Sequence, residues 1–187
     1  MRMSYKKGKD VKKKAKGGGS DFGIAGISVI MQELGKTLTP SPLLATSVLG
    51  VSTIKLLGSD EQKKNYLPKI VSGEATTALA VDEGNHHSPF DIEATATLEG
   101  DKWTLNGQKV FIIDGASADF ILIVARTSGK KGESNGLSVF IADKNSTGLE
   151  VSQISTADCR NYANLVMSNL TLNADALLGE VDIAGEI

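Results

Sequence analysis

The spacing of apolar residues changes at Ala75, and no other feature limits the fold of this 187-residue chain so tightly. Upstream, Ile27, Ile30, Met31, Leu34 and Leu38 recur at helical steps, which predicts an amphipathic helix over 24–38, weakened only at its end by Gly35. The break Thr39-Pro40-Ser41-Pro42 follows. Residues 43–57, with Lys55 as their one charge, predict a helix buried on most sides. Gly58 closes that helix, and Ser59 is placed to cap a third, with Glu61 and Gln62 in its first turn and Tyr66, Leu67 and Ile70 on its inner face. Pro68 sits too deep for the start of a regular helix, so a kink or a second short helix ending at Gly73 is expected.

Downstream the pattern is one of short, β-rich runs: 76–82, 92–98, 102–105, 108–113, 120–126, 137–143 and 164–172. Glu99-Gly100-Asp101 and Asn106-Gly107 mark turns between them, the second because an Asn-Gly pair tolerates the positive φ of a tight hairpin. The expected fold class is therefore α+β: a short helical segment followed by an antiparallel β sandwich or barrel-like domain. The predicted boundaries are a tail at 1–19, a helical domain at 20–74 and a β domain at 75–187.

Charge is distributed unevenly along the chain. Residues 1–16 hold eight Lys or Arg against the single Asp10, leaving twelve basic and twenty-one acidic residues in the rest. A Lys-rich, aromatic-poor arm running into Gly17-Gly18-Gly19-Ser20 cannot pack a face, so a disordered tail is expected there. It reads either as a tether for nucleic acid or an anionic surface, or as a solvated leader; the leader is the favoured reading, so no nucleic-acid partner is expected. Cys159 stands alone, which excludes an intrachain disulfide and a cysteine-built metal cluster. Without a run of roughly 20 apolar residues or an apolar leader core, the expectation is a soluble, cytoplasmic protein with no membrane span.

Four stretches, in this order, resemble the acyl-CoA dehydrogenase family. They are Leu57-Gly58-Ser59-Asp60-Glu61-Gln62-Lys63-Lys64-Asn65-Tyr66-Leu67-Pro68, Trp103-Thr104-Leu105-Asn106-Gly107-Gln108-Lys109, Ala118-Asp119 through Ala125-Arg126-Thr127, and Leu177-Leu178-Gly179-Glu180. Each is weak alone, but the ordered set is not a chance product. The resemblance implies part of an N-terminal helical domain followed by a middle β domain, with FAD as cofactor and an acyl-CoA thioester as substrate. It also implies a C-terminal helical bundle that carries the catalytic glutamate; no residue here matches that glutamate, so the base is expected from outside this sequence. The Thr39-Pro40-Ser41-Pro42 region resembles a branch found in assemblies of two unlike subunits, so a homo- or hetero-oligomer is expected.

Within the resemblance, the cofactor-binding positions are Leu79, Val81, Asp82, Ser88, Phe111 and Ile113, with no catalytic residue and no metal ligand. The family's flavin loop reads Thr-Glu-Pro-Gly-x-Gly-Ser, and the matching stretch here is Asp82-Glu83-Gly84-Asn85-His86-His87-Ser88. Glu83 and Ser88 match, Asp82 replaces the threonine, and His86 and His87 fill slots of small residues. A carboxylate facing an electron-rich ring opposes its reduction unless it is protonated or turned away. The family's second element, Trp-Ile-Thr-Asn, becomes Phe111-Ile112-Ile113-Asp114, which keeps an aromatic wall but loses a hydroxyl donor at Ile113. Two readings follow: a flavin-dependent acyl-CoA dehydrogenase completed by residues outside this chain, or a subunit that keeps the fold for assembly without its own flavin.

Further readings concern individual side chains. His86 and His87, with Asp82, Glu83 and Asp91, make no metal site, because neighbouring side chains in an extended loop diverge; a histidine ring N–H meeting a ligand phosphate and a solvated polar loop both remain open. Lys109 and Arg126 read as exposed strand charges or phosphate contacts. Trp103 reads as packing, and Cys159, with no base near it in sequence, as structural.

Overall fold

The computed structural model describes residues 23–186. The basic arm and the first Gly-Gly-Ser stretch lie outside the described residues. The first helix, α1, runs Gly23–Lys36 and none of its residues is buried. The next helical rod opens with a π-wound segment, Leu43–Gly50, and continues as α2, Val51–Leu57, presenting Ala45, Thr46, Gly50 and Ile54 to the interior. The other positions of the rod are half-buried, except Ser52, Lys55 and Leu56, which are exposed. Gly50 is required there, because a Cβ would lie 2.1 Å from Thr77 Cγ2.

Helix α3, Asp60–Ser72, begins as the sequence predicts. Ser59 Oγ accepts the Gln62 N–H, Gln62 Oε1 accepts the Ser59 N–H, and both links of a capping box are closed. The helix ends at Gly73, whose φ of +79° is the left-handed cap only glycine adopts cheaply. No second short helix follows Pro68: the proline sits inside one continuous helix that ends at Gly73. A proline in the last turns removes a single backbone donor, and Tyr66, Leu67 and Ile70, packed against the core, hold the helix across it.

Among the described residues eight strands form one sheet: β1 Thr77–Ala80, β2 Thr95–Glu99, β3 Lys102–Ile113, β4 Phe120–Arg126, β5 Leu137–Asp143, β6 Leu149–Ile154, β7 Tyr162–Asn173 and β8 Leu177–Leu178. Their order is β6-β7-β3-β2-β4-β5-β8, with β1 paired to β4. The pairing is mostly antiparallel, but β1 runs parallel to β4 and β2 meets β4 parallel through Thr95 and Arg126. One edge of β4 is thus shared by two strands in succession, and the residues between them, 81–94, form a long excursion from the sheet.

All seven residues of β4 are buried, which is why that run reads as continuously apolar instead of alternating. Directly paired residues share a face, so Phe140 lies with its partner Ile123 on one side of the sheet. There Trp103 of β3 meets it edge-on at 5.1 Å. β3 and β5 are not neighbours in the strand order, so this contact means the sheet curls over its own core. On the opposite face, Phe120 receives Tyr66 of α3 at 4.9 Å.

Asn106-Gly107 is not a hairpin turn. β3 passes straight through it, with a register shift between Leu105 and Gly107 against β7. Asn106 Oδ1 instead accepts the Asn169 N–H, and Gly107, at φ +137°, lets the strand approach Ala94, whose Cα and Cβ would lie 2.7 Å from a Cβ there. The true hairpin turns at Glu99-Gly100-Asp101, as the sequence indicates. β6 was not anticipated, and β7 begins at Tyr162, earlier than the predicted 164.

Candidate functional site

The 81–94 excursion and the end of β3 come together through the backbone. The Val110 N–H donates to the Asp82 carbonyl at 2.8 Å. Immediately beyond Val110 the β3–β7 ladder slips: Lys109 pairs with Leu165 and Ile112 with Ala163, so Val110 and Phe111 together oppose Asn164. This bulge puts Phe111 at φ +55°, an unfavourable conformation for a bulky residue, and turns its ring outward, 59% exposed. The ring leans on Tyr162 at 5.1 Å.

A cavity of about 610 Å³ lies between these elements. Phe111, Ile113, Val110, Ile154 and Tyr162 supply its apolar and aromatic wall, while Asp82, Asn85, His87 and Asn164 supply polar groups. A second cavity of about 330 Å³ adjoins it across Gly84, Asn85 and His86, reaching Ser88, Gly107 and Lys131.

The Asp82 carboxylate is turned into its own loop. It accepts the Ser88 N–H at 3.0 Å and meets His87 Nδ1 at 3.0 Å. An ionised carboxylate only accepts, so His87 Nδ1 carries the proton of that contact. The Asp82 charge is therefore engaged by two groups of its own loop.

Glu83 anchors the same loop from beneath. Its carboxylate accepts the N–H groups of Glu93 and Ala94 and lies 2.7 Å from Lys109 Nζ, which also donates to the Val81 carbonyl at 2.9 Å. Lys109 is fully buried. Burial pushes its ammonium below the ordinary value, and the neighbouring Glu83 carboxylate opposes that shift. Arg126, also buried, spreads its guanidinium over the carbonyls of Ile92, Ser128, Asn135, Phe90 and Glu133. The expectation that Lys109 and Arg126 are exposed, or reach a ligand phosphate, is corrected: both are consumed in holding the two ends of the 81–94 excursion.

Of the six predicted site residues, Asp82, Phe111 and Ile113 line the larger cavity. Ser88 lines the adjoining one and contributes its N–H to Asp82. Leu79 pairs with Leu122 and packs against the core, and Val81 gives its carbonyl to Lys109; neither lines either of these two cavities. His86 and His87 both line the larger cavity. Among the described residues no three His, Cys, Asp or Glu side chains converge on a point where a metal ion could sit. Cys159 is exposed, so it does not serve core packing. Tyr162, Asn164 and Ile154 were missed as site residues. The alternation in Leu149-Glu150-Val151-Ser152 was the available signal for β6, and the position of Asn164 against the bulge left no trace in sequence.

Residues 78–173 match the acyl-CoA dehydrogenase middle domain and residues 10–74 the acyl-CoA dehydrogenase N-terminal domain. The cyclohex-1-ene-1-carbonyl-CoA dehydrogenase of Geobacter metallireducens is 34% identical over 169 residues, covering 87% of this chain and 44% of its own length. A probable acyl CoA dehydrogenase of Mycobacterium abscessus superposes with a TM-score of 0.70 at 30% identity, over 76% of this chain and 39% of that one. The Tcur3481–Tcur3483 steroid ACAD variant gives a TM-score of 0.79 at 26% identity, over 90% of this chain and 44% of that one. The chain thus spans about two-fifths of the length of the proteins it matches. Among the described residues no helix is long and apolar enough to cross a membrane.

Proposed function

Because this chain belongs to the acyl-CoA dehydrogenase family, we propose that its β domain seats FAD in the larger cavity and serves the α,β-dehydrogenation of an acyl-CoA thioester. The carrying observation is that the Asp82 loop and Phe111, distant in sequence, wall one cavity and are joined by the hydrogen bond from Val110 to Asp82. When bound, the flavin accepts the hydride that leaves the β-carbon of the substrate.

The aromatic and apolar lining of the site fits such a group. Phe111 and Tyr162 give a flat ring an aromatic wall, and Ile113 and Ile154 exclude water beside it. The obstacle that the sequence raised, a carboxylate at position 82, is met by geometry, since the Ser88 N–H and His87 hold that charge within the loop. The base that removes the α-proton is assigned to a group outside these residues, whether on the same polypeptide or on a partner. The partner is a further acyl-CoA dehydrogenase-type subunit, like or unlike this one. The name Tcur3481–Tcur3483 joins two proteins and supports the unlike case.

The test is an absorbance spectrum and FAD titration of the purified chain, followed by reconstitution with a partner subunit, acyl-CoA and an electron acceptor. Bound flavin and acceptor reduction are expected. A preparation that binds no flavin and reduces nothing, alone or reconstituted, overturns the enzymatic reading. A second reading is favoured by the missing hydroxyl at Ile113: a subunit retained for assembly without its own flavin. Its signature is stable association with a flavin-loaded partner while this chain binds none.

A further inference from the structure

The bulge that exposes Phe111 also fixes the side chain opposite it. A bulged strand leaves one N–H without its ladder partner, and here the Phe111 N–H is taken by Asn164 Oδ1 at 3.2 Å. An N–H needs an acceptor, so this bond decides which way the Asn164 carboxamide points: oxygen to β3, and Nδ2 on the other side. Asn164 lines the larger cavity with Phe111 and Ile113. Its Nδ2 makes no hydrogen bond to any described residue.

On the β side of this wall the backbone donors are committed, and the Tyr162 hydroxyl, which makes no hydrogen bond to any described residue, is free to rotate. The Val110 N–H goes to the Asp82 carbonyl, the Phe111 N–H to Asn164 itself, and His87 Nδ1 to the Asp82 carboxylate. Ile113 has no donor to give. A carboxamide with two free N–H groups, held by the backbone of a rigid strand, is therefore the preorganised donor on the β side of the cavity.

Resting on the flavin-seat reading above, we propose that Asn164 is the positioning residue that replaces the hydroxyl lost at Ile113, donating from Nδ2 to a flavin bound in this cavity. Its Oδ1 shapes the wall by holding Phe111, and its Nδ2 addresses the ring. Both functions depend on one side chain contributed by β7, the strand across from the bulge.

Asn164→Asp separates the two, because it keeps an oxygen for the Phe111 N–H and removes the donor. The full chain is titrated with FAD by quenching of flavin fluorescence. The absorption envelope and midpoint potential of the bound flavin are read alongside, and thermal melting reports the fold. N164D is expected to melt like the parent, to bind FAD at least tenfold more weakly, and to shift the potential of what remains bound to more negative values. Adding I113T to N164D is expected to restore binding. If the parent binds FAD and N164D matches it in affinity, spectrum and potential, the assignment to Asn164 is wrong. If the parent itself binds no FAD, the flavin-seat reading fails first and this proposal with it.

Discussion

Lys109 and Glu83 form an ion pair, 2.7 Å apart, that ties the middle of β3 to the start of the 81–94 excursion with the lysine wholly out of solvent. The pair stands in for a turn. Glu83 reaches back to the N–H groups of Glu93 and Ala94 while Lys109 takes the Val81 carbonyl, so the two ends of the excursion are clamped to one point.

Removing one member of such a pair leaves the other charged and buried. Lys109→Met is expected to cost about 3–5 kcal/mol, read by urea unfolding, and combining it with Glu83→Gln should return part of that loss because the stranded carboxylate is gone.

Gly107 lets β3 pass over Ala94, whose N–H and carbonyl serve Glu83 and Arg126. Gly107→Ala adds a Cβ 2.7 Å from Ala94 and is expected to destabilise by about 1–3 kcal/mol. Hydrogen exchange should show the excursion loosening before the rest of the sheet.

Helix α3 is held to the far end of the domain by Gln62, whose Nε2 donates to the carbonyls of Asp175 and Leu177. Ser59→Ala removes only the cap, costing about 1 kcal/mol. Gln62→Ala removes the cap partner and strands two carbonyl acceptors, so its fall in melting temperature should be the larger.

Asp114, at φ +56° beyond β3, is held above the ordinary carboxylate value of 3.8 by burial, with Arg160 opposing. A raised folded-state pKa means the protonated form suits the fold, a benefit present below 3.8 and lost as pH rises through the folded value. Asp114→Asn, which also tolerates positive φ, is expected to melt higher at pH 7, the gap closing as pH falls toward 3.8. An equal gap across that range would contradict it.

Ile113→Thr alone restores a hydroxyl to the larger cavity. If the flavin-seat reading holds, FAD binding should tighten by up to about tenfold, the worth of roughly one further hydrogen bond, measured by fluorescence titration.

Much of the architecture was legible because its causes are local. Ser59 with Gln62, Gly73 after Ser72, and the change of apolar period at Ala75 each act within a few residues. Asp82, Phe111 and Ile113 were placed at the site by resemblance, and the structure brings those three to one cavity. Asn106-Gly107 misled because a permissive glycine answers equally to a turn and to a close approach, and only Ala94, brought in by β2, decides between them. Lys109 and Arg126 misled for the same reason: nothing near them in sequence announces Glu83 or the five carbonyls that absorb their charge.

The sequence alone determined where helices give way to strands, which residues cap them, and which family the ordered motifs resemble, since these rest on spacing and on side chains meeting their near neighbours. Tertiary structure decided what each polar group is for. Whether Asp82 faces a ligand or its own loop, and which atom of Asn164 points to the cavity, depends on partners brought across the sheet by pairing. Hydrogen bonds are satisfied in space, and chain order does not fix who arrives.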